Sequence, residues 1–330
     1  MKKIDFMIDE FMIYCESKNL SKKTMMSYEQ TLKLFTKYLL EEKNIIDIMK
    51  IAEKDIRGYI IYTKDRGKYT VVGNEETLKF NTPELRQDYG KKVSLTTVNN
   101  YIRNIKVFFN YLLEQGHIKK DIVKNIRQFK NSRKQKEYIT DNQFQELLRH
   151  MDTTKFHEYR DYIVIQLLLD TGMRISECLE IKVEDIDINN RAIFLPAQNT
   201  KGKRDRFVYF SQIMSKELRR WLQYKDRYIE SDYLFCTTKG TVVLIRTFEK
   251  KLKDYGNRIN LTNIHPHQLR NNFAKRFLMA GGNIYTLSTI LGHSSVKVTE
   301  QAYLDLTDSD IRKNYQQFSP LANMKNGGKK

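Results

Sequence analysis

Six residues in the second half of the chain are of the types needed to cut a phosphodiester covalently without a metal ion. They are Arg174 in Thr171-Gly172-Met173-Arg174-Ile175-Ser176-Glu177, Lys201 in Thr200-Lys201-Gly202-Lys203-Arg204, His267 and Arg270 in His267-Gln268-Leu269-Arg270, His293 in Leu291-Gly292-His293-Ser294-Ser295, and Tyr303. A guanidinium fork holds two nonbridging phosphate oxygens at once, so two arginines can grip a phosphate from both sides. A lysine ammonium can lend a proton to a leaving alkoxide. A phenol, with an ordinary pKa of about 10, is a poor nucleophile at neutral pH unless a cationic pocket stabilises the phenolate and the pentavalent transition state. Singly, each residue has an ordinary reading: His267 as a satisfied core histidine, Arg270 as half of a surface ion pair, Lys201 as a solvated turn lysine, Tyr303 as one core tyrosine among 20. Their conjunction is what points to phosphoryl transfer.

The elements that must carry these groups follow from local pattern. Pro266 suits a first helical position, which puts His267 and Arg270 three apart on one face of a first turn, where free backbone amides favour an anion. Gly172 reads as a helix stop in the left-handed conformation, turning the chain so that Arg174 projects from a short loop into the next helix. Alternating segments over 191–195 and 206–210 flank a turn over 199–205 and predict an antiparallel hairpin with Lys201 at its tip. Helices are predicted over 160–170, 212–228, 245–255, 266–280 and 284–291, with helical spacing again over 296–306. Thr140-Asp141-Asn142-Gln143 is a capped helix start that opens this half of the chain.

Upstream, apolar residues recur at three and four through residues 4–42, giving two amphipathic helices, the second capped by Ser21. Further helices are expected over 52–64 and from Ser94 to about Gly116. Between them, residues 64–93 break the period; Tyr69-Thr70-Val71-Val72 and Thr77-Leu78-Lys79-Phe80 about Gly73-Asn74 read either as two short strands or as a solvated loop. The fold class expected is therefore mainly α with a small antiparallel sheet. A helical first domain over 1–123, with the insertion 64–93, is followed by a basic linker over 124–137, a mixed α+β domain over 138–306 and a terminal segment over 307–330. The linker's cations, Lys124, Arg127, Lys130, Arg133, Lys134 and Lys136, are placed to neutralise phosphates along a duplex.

The whole chain agrees with a polyanionic partner. Its 330 residues include 58 Lys and Arg against 40 Asp and Glu, a formal charge of +18. No run of about 18 apolar residues is present, and the mean hydropathy is −0.61. Asp5, Asp9 and Glu10 interrupt the apolar N-terminal stretch, which a secretory signal does not tolerate, so the chain is read as cytoplasmic and nucleoid-associated. Three widely separated cysteines, Cys15, Cys178 and Cys236, imply neither a disulfide framework nor a zinc site.

With these motifs in this order, the sequence resembles the tyrosine recombinases, also called phage integrases, over nearly its whole length. The resemblance implies a SAM-like helical core-binding domain and a catalytic domain closing as a C-shaped clamp on double-stranded DNA. It also implies a site-specific recombinase acting through a 3′-phosphotyrosyl link and a Holliday junction, in integration and excision, inversion or resolution. Tyr303 would be the nucleophile, Arg174 and Arg270 would bind the nonbridging oxygens, and Lys201 would protonate the leaving 5′-oxygen. His267 would serve as general base or phosphate ligand, His293 would hydrogen-bond the phosphate, and Glu177 would support the site. No metal, ATP or other cofactor is expected. The partners implied are DNA with inverted half-sites and further copies of the chain, a dimer per site and a tetramer in the synapse, with room for an accessory or partner recombinase. Residues 307–330 would dock on a neighbouring protomer or pack on their own domain, and the insertion 64–93 would contact DNA or an adjacent protomer. The chain begins directly with the core-binding helices, as in simpler Xer-type or transposon-borne members. Competing readings are a catalytically silent DNA-binding regulator and a type IB topoisomerase, which uses the same tyrosine attack as a monomer.

Overall fold

Helical periodicity in the first 120 residues resolves into four helices around one apolar core. The computed structural model describes residues 3–130, 138–200, 202–303, Arg312 and Tyr315, with the backbone alone at residues 79 and 301–303. The chain divides into two units, residues 1–133 and 134–330. In the first, α1 (Ile4–Ser17), α2 (Lys22–Lys43), α3 (Glu53–Asp65) and α4 (Leu95–Glu114) bury Phe11, Leu32, Phe35, Tyr59, Phe108, Phe109 and Leu112. Ser21 and Ser94 cap α2 and α4 by accepting from the Thr24 and Thr97 amides, as their types predict. Asn104, buried mid-helix in α4, donates to Thr31 Oγ1 of α2 at 2.9 Å and so pins those two helices in register.

Two stretches of this unit differ from the pattern in the sequence. Residues 69–80 form no strands; instead, 3-10 turns occupy Glu75–Lys79 and Pro83–Leu85, the first opened by Asn74 Oδ1 accepting from the Glu76 amide at 3.1 Å. The alternating side chains there have no sheet to bury them, and Phe80 is 93% exposed. The ends of the insertion are nonetheless tied, with Lys68 N donating to Lys91 O at 2.8 Å and Gly90 N to Lys68 O at 2.9 Å. The second difference is in the basic stretch. Ile126 is buried in the first unit's core, and Asn99 clasps the Phe129 backbone through bonds of 2.8 and 2.9 Å, so residues 124–130 are fastened to the helices. Lys124, Arg127 and Lys130 are exposed; Arg133, Lys134 and Lys136 lie outside the described residues.

The second unit contains α5 (Asp141–Arg149), α6 (Phe156–Thr171), α7 (Ile175–Leu179), a three-stranded antiparallel sheet, α8 (Gln212–Tyr228), α9 (Ile245–Asn257), α10 (Pro266–Met279), α11 (Ile284–Leu291) and α12 (Val296–Tyr303). The sheet runs β1 (Ile186–Asp187), β2 (Ala192–Leu195), β3 (Arg206–Tyr209), with Ile193 opposite both Ile186 and Val208. The hairpin β2–β3 matches the predicted segments closely; the two-residue β1 is too short to announce itself. The core gathers around the fully buried Trp221 of α8, whose indole N–H donates to Leu234 O at 2.9 Å. Helix α6 is buried around most of its surface, its Glu158, Arg160 and Asp161 included, because α8 and α10 both pack on it.

Two glycines set the ends of helices that reach the candidate site. Gly172 closes α6 with φ +65° and Gly292 closes α11 with φ +63°, both left-handed. At Gly172 space is also limiting, since a Cβ there would lie 2.2 Å from Phe273 Cδ1 of α10. Gly172→Ala should therefore cost about 2 kcal/mol or more, from the left-handed backbone and from overpacking together. Urea unfolding measures it: a clear drop in midpoint at unchanged slope is expected, and an unchanged midpoint would show that α6 and α10 are not held at this distance.

Candidate active site

Arg174 is placed by its own backbone. It is the N-cap of α7, and its amide donates to Glu177 Oε2 at 2.8 Å while its guanidinium donates to Glu177 Oε1 at 2.8 Å. One carboxylate thus caps the helix and orients the arginine above it. The Arg174 Nη2 also lies 3.5 Å from Gly292 O, and the side chain keeps 24% exposure, enough to reach a ligand.

Arg270 comes from the first turn of α10 and is buried to 4% exposure. Among the described residues it meets no carboxylate directly. Its Nη1 donates to Gly172 O at 2.8 Å, and its Nη2 donates to Leu291 O at 2.7 Å and to His293 Nε2 at 3.0 Å. The two left-handed helix ends thus present the carbonyls that hold it. Burial, with Arg174 and Arg206 nearby, pulls its pKa down to about 9.

His293 follows Gly292 and leads into α12. Its Nδ1 lies 2.8 Å from Thr299 Oγ1. Burial, then the Arg270, Arg174, Arg206 and His267 charges, push its pKa down to about 4, so the ring is neutral at physiological pH. His267 is exposed in the first turn of α10, close enough to bear on that shift. The neighbouring His265 is the N-cap of α10, its Nδ1 accepting from the Gln268 amide at 3.0 Å. Arg174, Arg270, His293 and Glu177 are thus brought together, with His267 beside them. Lys201 lies outside the described residues, between Thr200 and Gly202 in the turn joining β2 to β3. Tyr303 is the last residue of α12, which packs on α10 and α11; its side chain is outside the described set.

One member of the cluster is absent from the motifs read in the sequence. Arg206, the first residue of β3, donates to Glu177 Oε2 at 2.6 Å and Oε1 at 3.1 Å, and its Nε to Ile290 O at 3.3 Å. The Glu177 carboxylate is fully buried between the two arginines. Burial by itself would raise its pKa, but the Arg206 and Arg174 hydrogen bonds outweigh that and hold it below the ordinary range. A Cβ at residue 292 would meet Arg206 Nε at 2.9 Å, so the glycine there also makes room for this side chain. A signal for Arg206 was available: strand alternation puts it on the same face as the buried Val208, an inward-pointing charge.

Among the described residues, two guanidiniums therefore share one carboxylate, and a third, Arg270, stands nearby on carbonyls and a neutral histidine. Among the described residues the cluster carries more guanidinium than carboxylate, and a phosphate with two nonbridging oxygens suits its charge and donors. In the first unit, Arg103, Lys106, Lys124 and Arg127 line an open groove with Asn110 and Gln128, a second place where cations converge. Breaking the buried pair should be costly. Arg206→Ala should lower stability by about 3–5 kcal/mol, because Glu177 would keep its burial and lose one partner. Denaturant unfolding tests this; a loss below about 1 kcal/mol, as for surface pairs, would contradict the burial of this bridge.

The phage integrase family model matches residues 137–310, and the phage integrase N-terminal SAM-like domain matches residues 8–76. Tyrosine recombinase XerC of Staphylococcus saprophyticus is 26% identical over 315 residues, spanning 94% of this chain and 95% of that protein. XerC of Oceanobacillus iheyensis is 25% identical over 331 residues, 98% of this chain and 99% of that one. Among solved structures, the Tn1549 transposon integrase in complex with transposon right end DNA has a TM-score of 0.73 at 18% identity, covering 96% of this chain and 99% of that chain. XerH site-specific recombinase bound to palindromic difH substrate has a TM-score of 0.67 at 20% identity, covering 91% and 81%. These structures share the fold, a SAM-like helical domain followed by a mostly helical domain with a small antiparallel sheet. With a family match over more than half of its length and the cluster of Arg174, Glu177, Arg270 and His293 assembled within it, the chain belongs to the phage integrase family, the tyrosine recombinases.

Proposed function

We propose that this chain cuts and rejoins DNA strands at specific sites, with Tyr303 as nucleophile and the Arg174–Arg270–His293 cluster as the phosphate cradle. The observation that carries the reading is the excess of guanidinium over carboxylate around Glu177 and Arg270 among the described residues, which a phosphate oxyanion would balance. The Tyr303 oxygen attacks phosphorus as its proton passes to His267 or to solvent. Phosphorus then bears a tyrosyl ester to the 3′ side of the DNA, and the 5′-oxygen leaves with a proton from Lys201. The reverse step, with the 5′-hydroxyl of another strand as nucleophile, joins new partners and regenerates the phenol. One ester is exchanged for another at each step, so the chemistry consumes neither ATP nor a redox equivalent, and arginine charge can take the place of a metal ion.

Strand exchange between two sites requires further copies of the chain, a dimer at each pair of inverted half-sites and a tetramer in the synapse. The exposed cations Lys124, Arg127 and Lys130 and the basic groove of the first unit would contact the duplex backbone. No helix among the described residues is long and apolar enough to cross a membrane.

Covalent trapping on nicked DNA carrying a site the protein binds tests the reading, run in EDTA. A denaturant-stable protein–DNA adduct should form with the native chain and vanish with Tyr303→Phe. Arg174→Ala and Arg270→Ala should slow its formation by roughly two to three orders of magnitude, the cost of losing one preorganised oxyanion donor. DNA that is bound without any adduct would favour the DNA-binding regulator instead. Adduct formation with DNA relaxation by a monomer would favour the topoisomerase.

A further inference from the structure

The hydrogen bonds around His293 specify where its proton sits, and that position is wrong for holding a phosphate. Arg270 Nη2 faces His293 Nε2 at 3.0 Å. A guanidinium has donors only, so Nε2 must be the acceptor and the neutral ring carries its hydrogen on Nδ1. That Nδ1–H donates to Thr299 Oγ1 at 2.8 Å. Yet Nε2 is the ring nitrogen that faces the arginines, where a phosphate would lie. A bare Nε2 presents a lone pair to a phosphate oxygen, whereas an Nε2–H would donate to it.

Thr299 can serve both proton arrangements without moving. A hydroxyl has one hydrogen and two lone pairs, so it accepts from Nδ1–H in one state and donates to a bare Nδ1 in the other. Thr299 is 1% exposed, so water does not readily replace it as the partner of Nδ1. It also stands on α12, one helical turn before Tyr303, so the bond that orients the histidine also ties down the helix that ends in the tyrosine. We propose that Thr299 is a positioning residue for strand cleavage: its hydroxyl holds His293 by Nδ1 and lets the ring change from accepting from Arg270 Nη2 to donating through Nε2 to the scissile phosphate. This rests on the reading that His293 contacts that phosphate.

The test compares Thr299→Val, which keeps the shape and loses the hydroxyl, with Thr299→Ser, which keeps the hydroxyl, in single-turnover cleavage of nicked DNA by the full chain. Valine should slow cleavage by about 10-fold or more, as is typical when the group orienting an active-site histidine is lost, and serine should stay near the native rate. In a His293→Gln background, Thr299→Val should add nothing, because the hydroxyl acts only through the ring. In 15N spectra of histidine-labelled protein, the His293 proton should lie on Nδ1 in free protein and Nε2 should be protonated in the Tyr303→Phe complex with DNA. Native cleavage by Thr299→Val, equal slowing by valine and serine, or an unchanged Nε2 on DNA binding would each overturn the proposal. The parent reading fails separately: if His293→Gln cleaves at the native rate, the histidine has no part at the phosphate. If His293→Gln is slow while Thr299→Val is not, only the role of Thr299 falls.

Discussion

The Glu177 carboxylate, buried between Arg174 and Arg206, is the interaction on which the rest of the site depends. A carboxylate with no exposed surface is tolerated only when its oxygens are fully engaged. Here one oxygen receives the Arg174 and Arg206 side chains, and the other receives the Arg174 amide and a second bond from Arg206. Those bonds start α7, fix the direction of its N-cap Arg174 and anchor the first residue of β3, so two separate elements are set by one charge. The β2–β3 hairpin is thereby attached by its second strand to the residue that orients Arg174.

Around this anchor the described residues carry more positive charge than they neutralise. Arg270 is held by carbonyls and by a neutral histidine, and carbonyl dipoles orient a guanidinium without cancelling its charge. Its lowered pKa and that of His293 express the same strain: each protonated form is disfavoured by burial and by neighbouring arginines. A phosphate would relieve this locally, as the duplex would for the overall charge of +18. Binding and catalysis would then draw on one source, because the described groups that carry the excess positive charge are those that would stabilise the added charge of a pentavalent phosphorus.

Much of this was legible in the sequence where local rules decide the outcome. Pro266 begins α10, Gly172 ends α6, Ser21 caps α2, and alternation gives the β2–β3 hairpin. Arg206 was missed because no local motif marks it; its meaning comes from Glu177, 29 residues away. Thr299 was missed for the same reason, as its partner is a ring in the preceding loop. Residues 69–80 have a strand-like alternation, but no neighbouring sheet exists to accept it, and an asparagine cap followed by two glutamates turns the chain instead. Composition also suggested a linker from residue 124, whereas two apolar side chains, Ile126 and Phe129, are enough to fasten its first half to the helical unit.

The central claim is that the charges of Arg174 and Arg270 meet the nonbridging oxygens of the scissile phosphate. It is tested most directly by cleavage of DNA in which a methylphosphonate replaces that phosphate, removing one negative charge at the reacting centre. If the arginines act by neutralising that charge, Arg174→Ala and Arg270→Ala proteins should recover much of their lost rate on the methylphosphonate while remaining slow on the natural phosphate. Equal deficits on the two substrates would mean that the arginines hold the fold together and leave the phosphate to other groups.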